Sequence, residues 1–228
     1  MSEPKPTMKS TSIVAGAVAS AALLIGASTQ ATLTLDLATI IDGGNAPSGT
    51  PPWLRATIED NLNGTVQLTM EAIGLAGTET VDSWAFNLDP ALSASGLTVS
   101  LVSKSTGVGN ISVELSSHVS SLNGLAFDFG FDYPNPNSQR FQQGDTAVFT
   151  IGHTTASLTP SSFDYAQADG YRSAAHIISL MDGGGSVKIA DRITTVVPEP
   201  TTYIAGVLVG LPVVLGAIRT GRRQRKGG

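Results

Sequence analysis

The middle of this 228-residue chain predicts an all-β sandwich, and three observations carry that expectation. Apolar and polar residues alternate with period two in about ten short runs. Explicit turn sequences separate the runs. No stretch between residues 32 and 197 carries the apolar period of an amphipathic helix.

The runs follow in order. Residues 32–37 (TLTLDL) alternate from the first position, and 54–59, 65–72, 83–88 and 97–103 continue the pattern. Then come 111–115, 125–131, 146–152, 175–180 and 187–190. Such runs read as strands because branched and aromatic side chains pack well on a pleated, half-buried surface. Between them lie Asp42-Gly43-Gly44-Asn45, Asn63-Gly64, Tyr133-Pro134-Asn135-Pro136-Asn137, Gly144-Asp145 and Asp182-Gly183-Gly184-Gly185. These residues supply the positive φ angles and local side-chain hydrogen bonds that turns require. Residues 160–171 read as a long loop or a short helical turn. The expected closure is a single jelly-roll-like sandwich over residues 32–196.

Aromatic placement locates the core. Trp84 with Phe86, and Phe127 with Phe129 and Phe131, recur at every second position and are expected to share a sheet face. Asp128, Gly130 and Asp132 would then face solvent. A domain of this length can bury an adequate core without disulfides or metal.

Cysteine is absent, which excludes a disulfide framework, a redox pair, a thiolate metal site and a cysteine nucleophile. The isoelectric point of about 5.0 argues against non-specific nucleic-acid binding. The net charge of −5 conceals segregation: residues 32–197 hold sixteen acidic and six basic side chains, while Arg219, Arg222, Arg223, Arg225 and Lys226 crowd the C-terminus.

The two ends have their own signals. Lys5 and Lys9 precede an uncharged apolar run at 13–27, and Thr29-Gln30-Ala31 offers small residues before a cut after Ala31. That layout is a secretory signal peptide over residues 1–31, implying the Sec translocon and signal peptidase as partners. Residues 201–218 form an 18-residue run without charge. At ~1.5 Å per residue it makes about 27 Å of helix, enough to cross the hydrocarbon core. The five cations after it stop transfer and hold the tail, residues 219–228, in the cytoplasm. Everything between the two apolar runs is expected outside.

Val197-Pro198-Glu199-Pro200 stands directly before the span, and its two prolines keep the chain extended and accessible. Pro-Glu-Pro, apolar span and Arg-rich tail in that order resemble the PEP-CTERM sorting signal of Gram-negative bacteria, over residues 197–228. The resemblance implies recognition by an exosortase, a membrane-embedded cysteine transpeptidase-like enzyme. It also implies cleavage near Pro198, Glu199 and Pro200 and delivery from the inner membrane to the cell surface or an extracellular polysaccharide matrix. Thr50-Pro51-Pro52-Trp53-Leu54, Ser83 to Pro90, Phe127 to Pro134 and Ala174-Ala175-His176-Ile177 resemble parts of exported β-sandwich proteins carrying the same signal. That second resemblance implies no activity.

Catalytic signatures are missing. His118, His153 and His176 form no HxH, HExxH or HxxxH pair, and there is no GxSxG, P-loop or GxGxxG sequence. Asp182-Gly183-Gly184-Gly185-Ser186 is rich in glycine but reads as a hairpin. Carboxylates are numerous: Asp128, Asp132, Asp145, Asp164 and Asp169. The sequence thus predicts an exported structural or adhesive protein without enzymatic activity or cofactor. One alternative is a carbohydrate- or calcium-binding module using Asp128, Asp132 or an exposed Trp53. The other is a surface glycoside hydrolase working with paired carboxylates.

Overall fold

Strands with one apolar face bury it by stacking sheet on sheet. The computed structural model describes residues 30–192 except 116–121, 123, 167, 182 and 184. The apolar run at 13–27, the sorting signal at 197–228 and His118 lie outside the described residues.

Among the described residues twelve strands follow one another: β1 (Thr32–Leu37), β2 (Thr39–Ile40), β3 (Leu54–Asp60), β4 (Val66–Ala72), β5 (Thr80–Phe86) and β6 (Leu97–Lys104). After these come β7 (Ser112–Glu114), β8 (Phe129–Asp132), β9 (Phe141–Gln142), β10 (Thr146–His153), β11 (Tyr171–Ile178) and β12 (Ser186–Arg192). They build two antiparallel sheets. One has the order β1-β3-β4-β10-β6; the other has β2-β12-β11-β5-β8-β7, with β9 pairing β5.

Alternation sets which side chains meet between the sheets. Val66, Leu68, Met70 and Ala72 of β4 are buried while Gln67, Thr69 and Glu71 are half-buried on the other face. Leu54, Ala56 and Ile58 of β3 and Ala147, Phe149 and Ile151 of β10 complete this inner surface. The facing sheet contributes Val81, Trp84, Phe86, Phe129, Phe131, Ala175, Ile177, Val187 and Ile189. The sheets touch where Phe149 meets Phe131, with ring centroids 4.6 Å apart.

The chain itself ties the sheets together. After β1 it switches layers within one residue. The Ala38 amide donates to the Ala190 carbonyl of β12, and the Asp36 amide donates to Asp191 Oδ1 at 3.2 Å. β2 then pairs with β12 through Thr39–Ala190 and Ile40–Ile189. The β3–β4 turn uses the expected chemistry: Asp60 and Asn63 carboxylate and amide oxygens accept the amides of Leu62 and Thr65, and Gly64 takes a φ of 82°. Residues 160–171 open with a turn of 3₁₀ helix at Pro160–Phe163, capped reciprocally by Thr159 and Ser162.

Two expectations need correction. The run at 125–131 is a strand only from Phe129, and Phe127 does not share a face with Phe129 and Phe131. Phe127 packs with Leu122 on the outer side of the seven-stranded sheet, against Ala85, Ala174 and Ala190. Those alanines are register neighbours on β5, β11 and β12, and their small side chains leave room for the ring. Trp53 is buried rather than exposed, at 5% accessibility. Its amide donates to Leu37 and its carbonyl accepts the amides of Ile73 and Gly74. Gly74 is required there, because a Cβ would lie 2.1 Å from the Thr50 carbonyl oxygen. This close approach seats Trp53 in the core and removes it as a sugar platform.

The two tryptophans are buried on different terms. Trp84 Nε1 donates to Ser173 Oγ at 2.9 Å, and that hydroxyl donates on to the Ala85 carbonyl. Trp53 Nε1 is buried with no hydrogen-bond partner among the described residues. Trp84→Phe therefore removes a satisfied buried hydrogen bond, whereas Trp53→Phe removes an unsatisfied donor. In urea unfolding Trp84→Phe is expected to cost about 1–2 kcal/mol more than Trp53→Phe.

Candidate functional site

The outer face of the seven-stranded sheet sorts its residues into two rows. One is apolar and small: Ala190, Ala174, Ala85 and Gly130, ending at Glu114. The next is polar: Lys188, His176, Ser83, Asp132 and Ser112, each the register partner of its neighbour. Cross-strand partners on one face stand roughly 5 Å apart, which places these side chains side by side.

A bulge brings a further acid into the polar row. His176 pairs with Ser83 and Ile177 with Val81, which leaves Asp82 as the extra residue of β5. Its Oδ1 lies 2.7 Å from Arg140 Nη1, and its Oδ2 accepts from His176 Nδ1 at 3.1 Å. Arg140, only 8% exposed at its side chain, also donates to the Pro134 carbonyl and to Asn135 Oδ1. The guanidinium thus fastens the 133–137 turn to the sheet. Beside it, burial pushes the Asp132 carboxyl above its ordinary value, and the nearby charges of Glu114 and Asp82 push the same way.

The arrangement holds an imidazole by an acid, which is the orienting half of a hydrolytic triad. The nucleophile is lacking at its partner position, since Ser83 is wholly buried and out of a substrate's reach. Asp128 does other work. Its Oδ2 accepts the Leu88 amide at 2.8 Å while its own amide donates to Phe86, so it fixes the end of β5. Asp128 precedes β8 and Asp132 ends it, and the extended stretch Phe129–Asp132 alone spans roughly 10 Å at ~3.3 Å per residue. The two calcium candidates therefore do not meet on one ion. Among the described residues no group of three or more His, Asp or Glu is placed to hold a metal. His153 is half-buried: its Nδ1 accepts the Thr155 amide, and its Nε2 lies 3.2 Å from the Ser93 carbonyl oxygen.

A second polar assembly lies where β1 crosses between layers. Arg172 Nε donates to Asp191 Oδ2 at 2.6 Å and its Nη1 to Asp164 Oδ1 at 2.7 Å. Arg55 meets Asp36 with both Nε and Nη2. Asp191 accepts the Asp36 amide and so joins the two ion pairs into one polar chain spanning both sheets, with the two acids adjacent at its centre and an arginine on either side. Burial pushes the Asp191 carboxyl upward against the pull of Arg172. Asp36, Arg172 and Asp191, with Thr34, Ala38, Thr39 and Arg192, line an open cleft of about 590 Å³.

Sequence reading did not single out Asp82, Arg140 or the Arg172–Asp191 pair. One signal for the bulge was present: Asp82 and Ser83 put two polar residues between Val81 and Trp84, breaking the period of two.

The raised carboxyl of Asp132 gives a signed prediction. The folded chain holds that proton more tightly than the unfolded chain between about pH 4 and the raised value, so stability falls as pH rises through that window. Asp132→Asn, neutral throughout, is expected to raise the thermal midpoint at pH 7 and to give no gain near pH 4. Melting curves followed by circular dichroism at the two pH values check this.

Compared with known proteins, the chain matches no family model, no curated protein and no solved structure.

Proposed function

We propose that this chain is an exported cell-surface or extracellular-matrix protein of structural or adhesive type, sorted and processed by an exosortase through Pro198, Glu199 and Pro200. The observation that carries the reading is where the strands begin and stop. β1 starts at Thr32, one residue after the expected signal cut at Ala31, and β12, described as far as Arg192, is the last described strand before the Pro-Glu-Pro sequence. Every strand among the described residues lies between the two apolar runs, so removing both runs removes none of those strands.

The direction of the strands supports it as well. β12 runs antiparallel to β2, and its last residue, Arg192, lines the same cleft as Thr34 of β1. The chain leaves the sandwich heading toward the end at which it came in. In the precursor this lets one end of the domain face the membrane while both apolar runs are seated there. Among the described residues no helix is long and apolar enough to cross a membrane; the two apolar runs lie outside them.

The inner membrane anchors the precursor with its tail in the cytoplasm, and the sandwich, which we read as jelly-roll-like, ends at the surface or in a polysaccharide matrix. The reading is non-enzymatic and needs no cofactor. An acidic exterior without cysteine suits an oxidising environment, where no thiol is left to react.

Fractionation of cells expressing the native chain and Glu199→Ala tests the sorting. The native chain is expected outside the inner membrane with its tail removed. Glu199→Ala is expected to stay in the inner membrane at the higher mass of the tailed precursor. Identical mass and location, with the tail attached in both, would leave a simple membrane anchor in place of exosortase processing.

A further inference from the structure

Of the exposed large apolar side chains among the described residues, Leu101 (46%) and Val102 (59%) lie on β6 and Val113 (37%) on β7, the strands that end the two sheets. β6 closes the five-stranded sheet, and among the described residues it pairs only with β10. An edge strand turns alternate amides and carbonyls outward, ready to pair with another chain. Natural edges are commonly guarded by lysine, proline or inward-pointing charge. Residues 98–103 (TVSLVS) carry none of these; the other common guard, a β-bulge, occurs only at Val102, past the stretch 97–101. The edges on the other side are protected: β1 is clipped to β12 through the Asp36 and Ala38 amides, and β2 is two residues long.

Charge selects the occupant of this edge. With sixteen acids against six bases between residues 32 and 197, copies of the domain repel one another wherever their acids approach. β6 is neutral up to Lys104, so two β6 strands meet without opposing like charges. Antiparallel pairing keeps the two Lys104 side chains at opposite ends of the ladder, whereas parallel pairing would set them side by side.

We propose that β6 is a self-association edge: two copies of the chain pair antiparallel along residues 97–101 and join their five-stranded sheets into one. The irregularity opposite Val148 and Phe149 leaves Val102 unpaired in the β10 register, which bends the strand and ends the ladder at Leu101. Leu101 and Val102 then cover apolar surface beside it. So short a ladder buries less than the ~1,200 Å² of a standard stable interface, so the pairing is weak and depends on concentration. Its consequence at a surface rests on the structural reading proposed above: confinement there raises the effective concentration to about millimolar, where a weak contact fills. The contact itself does not require that reading.

The cysteine-free sequence makes the test direct. Thr98→Cys, Val99→Cys, Ser100→Cys and Leu101→Cys are made singly in the full chain, purified in detergent, with Leu62→Cys on the 65%-exposed β3–β4 turn as the collision control. Directly opposed residues of an antiparallel ladder have Cα atoms roughly 4.5–5.5 Å apart, within disulfide reach. One β6 position is expected to oxidise to a covalent dimer at least roughly tenfold faster than Leu62→Cys, because pairing raises the local thiol concentration. High salt is expected to increase that rate by screening the acids. Adding Val102→Lys is expected to abolish the advantage with the thermal midpoint unchanged. Equal rates at β6 and at Leu62→Cys overturn the proposal. So does protection of the β6 cysteines from maleimide in the monomeric chain, which would mean that another segment already covers the edge. Because the purified precursor is used, a failure of export or processing leaves these outcomes untouched.

Discussion

The hand-over at Ala38 governs this fold. A sandwich of two antiparallel sheets has only side-chain packing between its layers unless the chain crosses from one to the other, and here it crosses within a single residue. The amides of Asp36 and Ala38 both find acceptors on β12, and the Leu37 carbonyl between them accepts from Trp53. Three successive residues thus bind β12 twice and Trp53 once. Arg172 and Arg55 supply the positive charge that lets Asp191 and Asp36 stand so close. A partly buried chain of this kind contributes definition more than net stability, since desolvation offsets much of the attraction.

The aromatic core then follows from the register. Trp84, Phe86, Phe129 and Phe131 lie on adjacent strands at inward positions, so their rings stack or meet edge to face without adjustment of the backbone. Phe163, delivered by the 3₁₀ turn, closes the row against Phe129 at 5.9 Å. The opposite face of the same sheet carries alanines, and that difference decides where Phe127 goes. A large ring cannot fit twice into a filled interior, while a row of methyl groups leaves a shallow seat outside.

How much was legible in the sequence depends on whether a feature is local. Period two was enough to find β1, β3, β4, β6, β10 and β12 to within two residues at either end, because burial on one face imposes that period wherever it occurs. β2 and β9, at two residues each, are too short to have a period. Phe127 kept the alternation but lost the strand, since the Asp128 carboxylate binds the Leu88 amide and the chain turns there. Trp53 carries no local mark of burial, because the Gly74 contact that seats it lies twenty-one residues away. The polar row was half visible. Asp132 was found as an outward residue, but Asp82, Arg140 and His176 meet only through a bulge and a distant turn, and such meetings have no sequence period.

The direction of β12 also has a mechanical meaning. A pull applied beyond Arg192 acts along the axis of that strand, parallel to its ladder with β11 and perpendicular to the hydrogen bonds that hold it. Loaded this way the bonds share the tension together, as in shear, instead of opening one after another as a peeled edge would. The base of the strand is where Asp191 takes the Arg172 guanidinium and the Asp36 amide, so the first residues to feel the force are bound in both layers. A domain held by this strand resists extension along the strand's own axis.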